Sequence, residues 1–195
     1  NSKSKDKFSI KYIKDIKKYS APFVMAVANT RVVRRTAELK QENQTSYGPN
    51  FSYNEYMKTG SYISALMTTL GLGVLGLMII SPISNLFRKL FTKPGNGPDK
   101  KTRDEGWYES IFVVKTETGN KYKFRLYGEG DPGYKSTAKL VCESALCIAL
   151  NFDQIKKNSS GGVLTTASGL GKTLVNRLKK ADILFEGPHK ICSKN

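Results

Sequence analysis

The chain has 195 residues, enough for one good-sized domain or one domain with appendages, and its 39% hydrophobic and 25% charged content excludes wholesale disorder. Thirty-two Lys and Arg stand against sixteen Asp and Glu, a formal charge of +16. That balance points to acidic partners (nucleic acid, an anionic membrane surface or phosphate-bearing ligands) without choosing among them. Three cysteines and one histidine exclude a disulfide scaffold, a His-based triad and a His-rich metal site, so no metal is expected. Cys142, Cys147 and Cys192 read as buried, inert thiols in a reducing compartment.

Residues 1–19 form a basic N-terminal segment with seven lysines against Asp6 and Asp15. Phe8, Ile10, Ile13 and Ile16 never join into the apolar core of a secretory signal. Starting at Asn1 in mid-pattern, the chain reads as a fragment or a processed product. Ser20-Ala21-Pro22 predicts a helix start, and the helix is expected over 22–39. Phe23, Val27, Thr30 and Ala37 share one face of it, while Arg31, Arg34, Arg35 and Glu38 share another. The plain account of that second face is solvation with an Arg34–Glu38 pair; the functional account aims the arginines at substrate or cofactor. Residues 41–56 lose periodicity and are expected to be a loop.

From Tyr62 to Ile83 the sequence is uncharged, and as a helix it would reach about 33 Å, enough to cross a hydrocarbon core. Leu72, Leu75 and Ile79 would face lipid or a partner, with Arg88 and Lys89 in a basic border beyond them. Gly71, Gly73, Gly76 and Pro82 equally suit a helical hairpin buried against protein, so both readings stand. After a polar loop at 93–107, the runs 110–116 and 121–128 predict a β-hairpin. Tyr122, Phe124 and Leu126 take its buried face, and Lys121, Lys123 and Arg125 its basic one. The turn 128–134 should carry a positive φ at Gly130 or Gly133 and place Asp131 and Tyr134 at a cleft, unless the turn merely starts the next helix. That helix, 136–150, is apolar nearly all round and is expected to be central. A last helix over 167–180 carries the stripe Leu170, Leu174, Leu178; a short strand at 183–186 and a tail at 187–195 close the chain.

Two motifs fail on context. GLGVLG (71–76) matches the dinucleotide fingerprint, but it lies inside a long apolar segment rather than between a strand and a helix. GLGKT (169–173) ends like a phosphate-binding loop, yet Thr166 stands where the leading glycine belongs.

Taken in order, PFVMAVANTRVVRRTAEL (22–39), YGPNFSYNEYM (47–57), PGNGPDKKTRDEGW (94–107), GEGDPGYKSTAKLVCESALCIAL (128–150) and GGVLTTASGLGKTLVNRLKKADILFE (161–186) resemble the C-terminal half of saccharopine dehydrogenase-like oxidoreductases, a family that includes bacterial trans-acting enoyl reductases. The resemblance implies an α/β domain over 20–186 that would close over cofactor and substrate, with NAD(P) held by an N-terminal Rossmann half. This chain contains only the second part and alone is expected to bind no dinucleotide. The expected partner is the missing half or another subunit, or a membrane or lipid surface. Animal members resemble proteins of lipid droplets and mitochondria, which places the chain inside the cell. The expected fold is α+β, a mixed or antiparallel sheet packed by helices at 22–39, 136–150 and 167–180. The expected function is the substrate or dimerisation domain of an NAD(P)-dependent oxidoreductase acting on a hydrophobic or acyl substrate. The alternative is a non-catalytic subunit of a larger membrane-associated assembly. Nucleic acid is not favoured, because Tyr122 and Phe124 read as core rather than as stacking platforms.

Overall fold

A computed structural model describes residues 8–42, 44–80, 95–158 and 161–191. It is α+β, with two three-stranded antiparallel sheets. The chain divides into two compact units, residues 1–35 with 51–97 and residues 36–50 with 98–195. The elements are β1 (Lys11–Ile13), β2 (Lys18–Ala21), α1 (Ala26–Glu42), β3 (Met57–Thr59), α2 (Tyr62–Ile80), α3 (Lys100–Glu105), β4 (Trp107–Lys115), β5 (Lys121–Glu129), α4 (Lys135–Leu150), α5 (Phe152–Ile155), α6 (Thr166–Gly169), α7 (Gly171–Lys180) and β6 (Leu184–Lys190).

In the first unit, β1 and β2 pair as a hairpin and β3 adds to the far edge of β2. The segment read as a basic leader thus contributes β1 and the start of β2. Ser20, expected to cap a helix, is a buried strand residue whose hydroxyl accepts from the Lys11 amide at 3.2 Å and donates to the Lys11 carbonyl at 3.1 Å. The following helix starts later than expected, at Ala26, and buries Ala26 and Thr30; the Thr30 hydroxyl donates to the Ala26 carbonyl at 2.7 Å. The expected loop over 41–56 gives way to helix as far as Glu42 and is followed by β3. Register puts Tyr12, Tyr19 and Thr59 on one face of this sheet, where the first turns of α2 pack against β2 and β3.

The second unit is built on β4–β5–β6. Nine cross-strand pairs from Trp107↔Glu129 to Lys115↔Lys121 set the hairpin that the alternation predicts. Gly119, at φ +84°, closes its turn. The row Ser110, Leu126, Phe185 faces a core of Cys147, Ile155, Leu170, Leu174, Leu178 and Ile183, supplied largely by α4 and α7. On the other face Arg125 bridges the three strands, with Nε 2.7 Å from Glu109 and Nη1 3.2 Å from Glu186. The face read as basic is thus partly neutralised. Glu109 and Glu186 hold the Arg125 pKa above its ordinary value through these hydrogen bonds.

Several expectations need correction here. α4 is not central: Leu140, Glu143 and Cys147 turn inward, while Val141, Ile148 and Leu150 lie exposed. Of the thiols, Cys147 is buried, with its pKa raised chiefly by desolvation, but Cys142 is exposed; Cys192 lies outside the described residues. The expected helix over 167–180 is two, broken at Leu170 and Gly171, with the Thr165–Ser168 capping box opening α6. The polar loop over 93–107 contains α3, whose Thr102 amide donates to Asp99 Oδ1 at 2.8 Å. The strand expected at 183–186 starts at Leu184 and runs on to Lys190, taking residues assigned to the tail. An irregularity between Lys123 and Arg125 accommodates Gly187-Pro188 on this edge strand, where proline removes no needed donor.

Candidate functional site

The predicted site residues fall into the two units, and each group is described within its own. In the first, α1 presents Asn29 and Arg34 to the segment 53–55. Asn29 Nδ2 donates to Glu55 Oε2 at 2.9 Å, Tyr53 Oη donates to Glu55 Oε1 at 2.6 Å, and Arg34 Nη2 donates to the Tyr53 carbonyl at 3.3 Å. Arg34 is thus partly buried and holds a loop. Arg31 is exposed and turns Nη1 back onto the Val27 carbonyl of its own helix, while Arg35 is exposed. Sequence reasoning missed Glu55, the acceptor of this cluster, because nothing in its local pattern distinguishes it from a solvated loop acid.

Burial first, then the hydrogen bond and charge of Glu55, push the Tyr53 phenol well above its ordinary value. A group held neutral in the fold stabilises it fully below the unfolded pKa of about 10, and that contribution is lost as pH rises through the higher folded value. Denaturant titrations between about pH 8 and pH 11 should therefore show stability falling more steeply in the wild type than in Tyr53→Phe. Equal slopes would show that Tyr53 is not held neutral by its surroundings.

In the second unit the turn 130–134 is hooked to the end of α3. The Gly130 amide donates to the Gly106 carbonyl at 2.6 Å, and the Asp131 amide to the Arg103 carbonyl at 2.9 Å. Gly130 has φ +90°, the left-handed region expected for this turn. Asp131 then serves the turn itself: its Oδ2 accepts from the Tyr134 amide at 2.8 Å, and its carbonyl from the Ser136 amide at 2.9 Å. Tyr134 is exposed. Beside the turn the Tyr108 ring lies across Gly128, where an added Cβ would stand 2.5 Å from it. Tyr108 Oη and Ser136 Oγ are both buried without a hydrogen-bond partner among the described residues. An unpaired buried hydroxyl costs on the order of 1–3 kcal/mol, so these are the atoms here that a ligand or water would satisfy.

A polar cavity of about 360 Å³ lies elsewhere in the unit, lined by Glu143, Asn151, Gln154, Thr173, Asn176, Arg177, Lys180 and Ala181. Arg177 grips Glu143 through Nε at 2.9 Å and Nη2 at 2.8 Å, and its Nη1 donates to Asn151 Oδ1 at 3.2 Å. Asp131 and Tyr134 do not line it. Both contacts converge on Glu143 Oε2, so the cavity holds an ion-paired guanidinium and carboxylate beside the amides of Asn151, Gln154 and Asn176. This constellation joins α4, α5 and α7, and spacing along the sequence gives no sign of it.

Among the described residues, no group of three or more His, Cys, Asp or Glu is placed to hold a metal. The nucleotide-like motifs do not form cradles. Gly71, Gly73 and Gly76 lie inside the continuous helix α2, and a Cβ on any of them would meet nothing within 4 Å. GLGKT follows the short helix α6 rather than a strand. Neither motif therefore forms the turn that holds a pyrophosphate. Leu72 and Leu75 on α2 are half-buried and Ile79 is exposed; Arg88 and Lys89 lie outside the described residues.

The chain is homologous to proteins named trans-acting enoyl reductases. It is 35% identical over 176 residues to one such protein of Mycobacterium tuberculosis, covering 86% of this chain and 41% of that one. It is 33% identical over 175 residues to those of Mycobacterium bovis and Mycobacterium leprae, covering 86% of this chain and 40% of each. It therefore spans about two fifths of the length of these curated relatives. No family model matches the chain, and no solved structure matches it.

Proposed function

We propose that this chain is the C-terminal, substrate-side part of a saccharopine dehydrogenase-like oxidoreductase acting on a hydrophobic or acyl substrate. The observation that carries the reading is the 35% identity to an enoyl reductase across 86% of the chain. In this reading NAD(P) is held by another part of the protein, since the glycine motif that mimics its fingerprint lies within the run of α2 rather than in a strand-to-helix turn. The segment 128–136 faces the substrate, and the support for that is the pair of unsatisfied hydroxyls, Tyr108 Oη and Ser136 Oγ, on either side of the turn in sequence. A hydroxyl kept buried and unpaired weakens the fold, and binding a substrate oxygen would offset that cost.

The test measures NAD(P)H oxidation against an enoyl thioester by the protein as purified from its native source. Tyr108→Phe and Ser136→Ala should each lower kcat/KM by about tenfold while leaving Tm unchanged or raised, since each removes a buried hydroxyl without a partner. Unchanged turnover in both variants would remove the turn from the site. Absence of any NAD(P)H oxidation would favour the second reading, a non-catalytic subunit, which the locked Glu143–Arg177 pair also suits.

A further inference from the structure

We infer that α2 binds an anionic lipid surface without crossing it, lying along the bilayer with Ile63, Leu66, Met67, Leu70, Val74 and Leu77 sunk among the acyl chains of one leaflet. The inference stands on other residues than the reductase reading and does not depend on it. The chain before α2 and the chain after it belong to one compact unit, where Thr36 Oγ1 meets Thr165 Oγ1 at 2.7 Å and Asn50 Nδ2 donates to Glu117 Oε1 at 3.0 Å. Both ends of α2 are therefore placed on the same side of the bilayer. Exposure gives the helix two sides. The six named residues recur at the three- and four-residue steps of one helix face and are all exposed, with Ile63, Leu70 and Leu77 at 72%, 55% and 72%. On the opposite side Ala65 is buried and Thr68, Thr69, Leu72, Leu75 and Gly76 are half-buried, which leaves Ile79 in the last turn exposed. Thr68 and Thr69 turn their hydroxyls onto the Ser64 and Ala65 carbonyls, at 2.9 and 2.8 Å, and so bring no unmet donor to lipid. An interfacial helix needs a charged face opposite its apolar one; here cover by the chain itself takes the place of that face. An aqueous surface rarely tolerates an apolar stripe of this extent.

Charge selects lipid as the occupant. The first unit has fourteen of the thirty-two Lys and Arg but only three of the sixteen acidic residues. A second copy would bring that excess against itself, whereas anionic headgroups complement it. Lys11, Lys14, Lys17 and Lys18 are exposed on the β1–β2 hairpin, and β2 packs against α2. At the root of the helix Tyr62 meets the Tyr19 ring edge-on at 5.9 Å, and Tyr19 meets Tyr12 at 5.0 Å. Such an aromatic cluster favours the boundary between headgroups and acyl chains. The stripe itself carries no charged or hydrogen-bonding side chain, so it lacks the polar rim by which a protein groove would set its register. A leaflet asks for no register.

The test adds the full chain to preformed phosphatidylcholine vesicles with or without phosphatidylserine. Wild type should float with the serine-containing vesicles and far less with phosphatidylcholine alone. Lys11→Glu/Lys14→Glu/Lys18→Glu, checked by circular dichroism for wild-type helix content, should bind the serine-containing vesicles at least about tenfold more weakly. Leu70→Trp and Leu77→Trp in a Trp107→Phe background report depth without placing a charge in the stripe. Bromine near the headgroup end of the acyl chains should quench both tryptophans more strongly than bromine near the methyl end. A spanning helix would instead hold residue 70 near the midplane, where the deep bromine quenches more, and that result would overturn the proposal. A wild type that does not float, or tryptophans that neither bromolipid quenches, would overturn it as well. Undiminished binding of the triple variant would overturn the choice of an anionic surface. A lipid-free oligomer with α2 protected would assign the stripe to a second copy and sink the proposal too.

Discussion

Gly106→Ala is expected to cost the second unit about 3 kcal/mol and to lower its Tm by roughly 10 °C. Gly106 ends α3 with φ −60°, so its backbone conformation is open to alanine and strain is not the cause. The cause is space. A Cβ there would stand 2.7 Å from both the amide nitrogen and the Cα of Asp131, and 3.0 Å from the Thr102 carbonyl oxygen. Those are backbone atoms, which cannot swing aside as a side chain could. To admit the methyl, the turn 130–134 must separate from α3, and that strains the hydrogen bonds from Gly130 to the Gly106 carbonyl and from Asp131 to the Arg103 carbonyl. The control is Gly60→Ala, where an added Cβ meets nothing within 4 Å and the effect should stay within about 0.5 kcal/mol. Thermal melts followed by circular dichroism compare the two. A Gly106→Ala protein as stable as wild type would mean that the turn is not clamped to α3.

Ile183→Ala should cost about 2–4 kcal/mol, against less than about 0.5 kcal/mol for Ile148→Ala. Ile183 is 2% exposed and belongs to the core formed with Leu174, Leu178 and Cys147, so truncation leaves a void that its neighbours fill only in part. Ile148 is 52% exposed on the outer face of α4 and loses little when shortened. Denaturant melts of the two variants, read against wild type, decide the point. Equal losses would mean that α4 is covered on both sides, the central position its composition suggests, and that its outer face has a partner in solution.

That face shows where sequence and structure part. Apolar composition all round α4 predicts a central helix, yet composition reports what a surface could bury and not what is there to cover it. The β4–β5 hairpin was legible because a period of two survives in Tyr122, Phe124 and Leu126 against Lys121, Lys123 and Arg125. The stripe Leu170, Leu174, Leu178 was legible by the same logic, and all three residues are buried. The break between α6 and α7 was not, since Gly171 with φ +51° looks like any helical glycine on paper. The small sheet of the first unit was hidden by length: strands of three or four residues, two at the lysine-rich start and one after the loop 41–56, give no period to read. Of the candidate site, the positive φ of Gly130 follows from its turn. Arg177 reaches Glu143 and Asn151 only because α7 packs against α4. The buried hydroxyls of Tyr108 and Ser136 carry no sequence signal at all.

On the proposed reading NAD(P) is held outside this chain, and isothermal titration of NADPH and NADH into the full chain tests that most directly. No saturable heat is expected at micromolar to submillimolar nucleotide, for the wild type and for Gly73→Val alike, because Gly71, Gly73 and Gly76 lie within a continuous helix and form no turn against a pyrophosphate. Micromolar binding by the wild type that is abolished in Gly73→Val would contradict the account and restore the glycine motif as a working fingerprint.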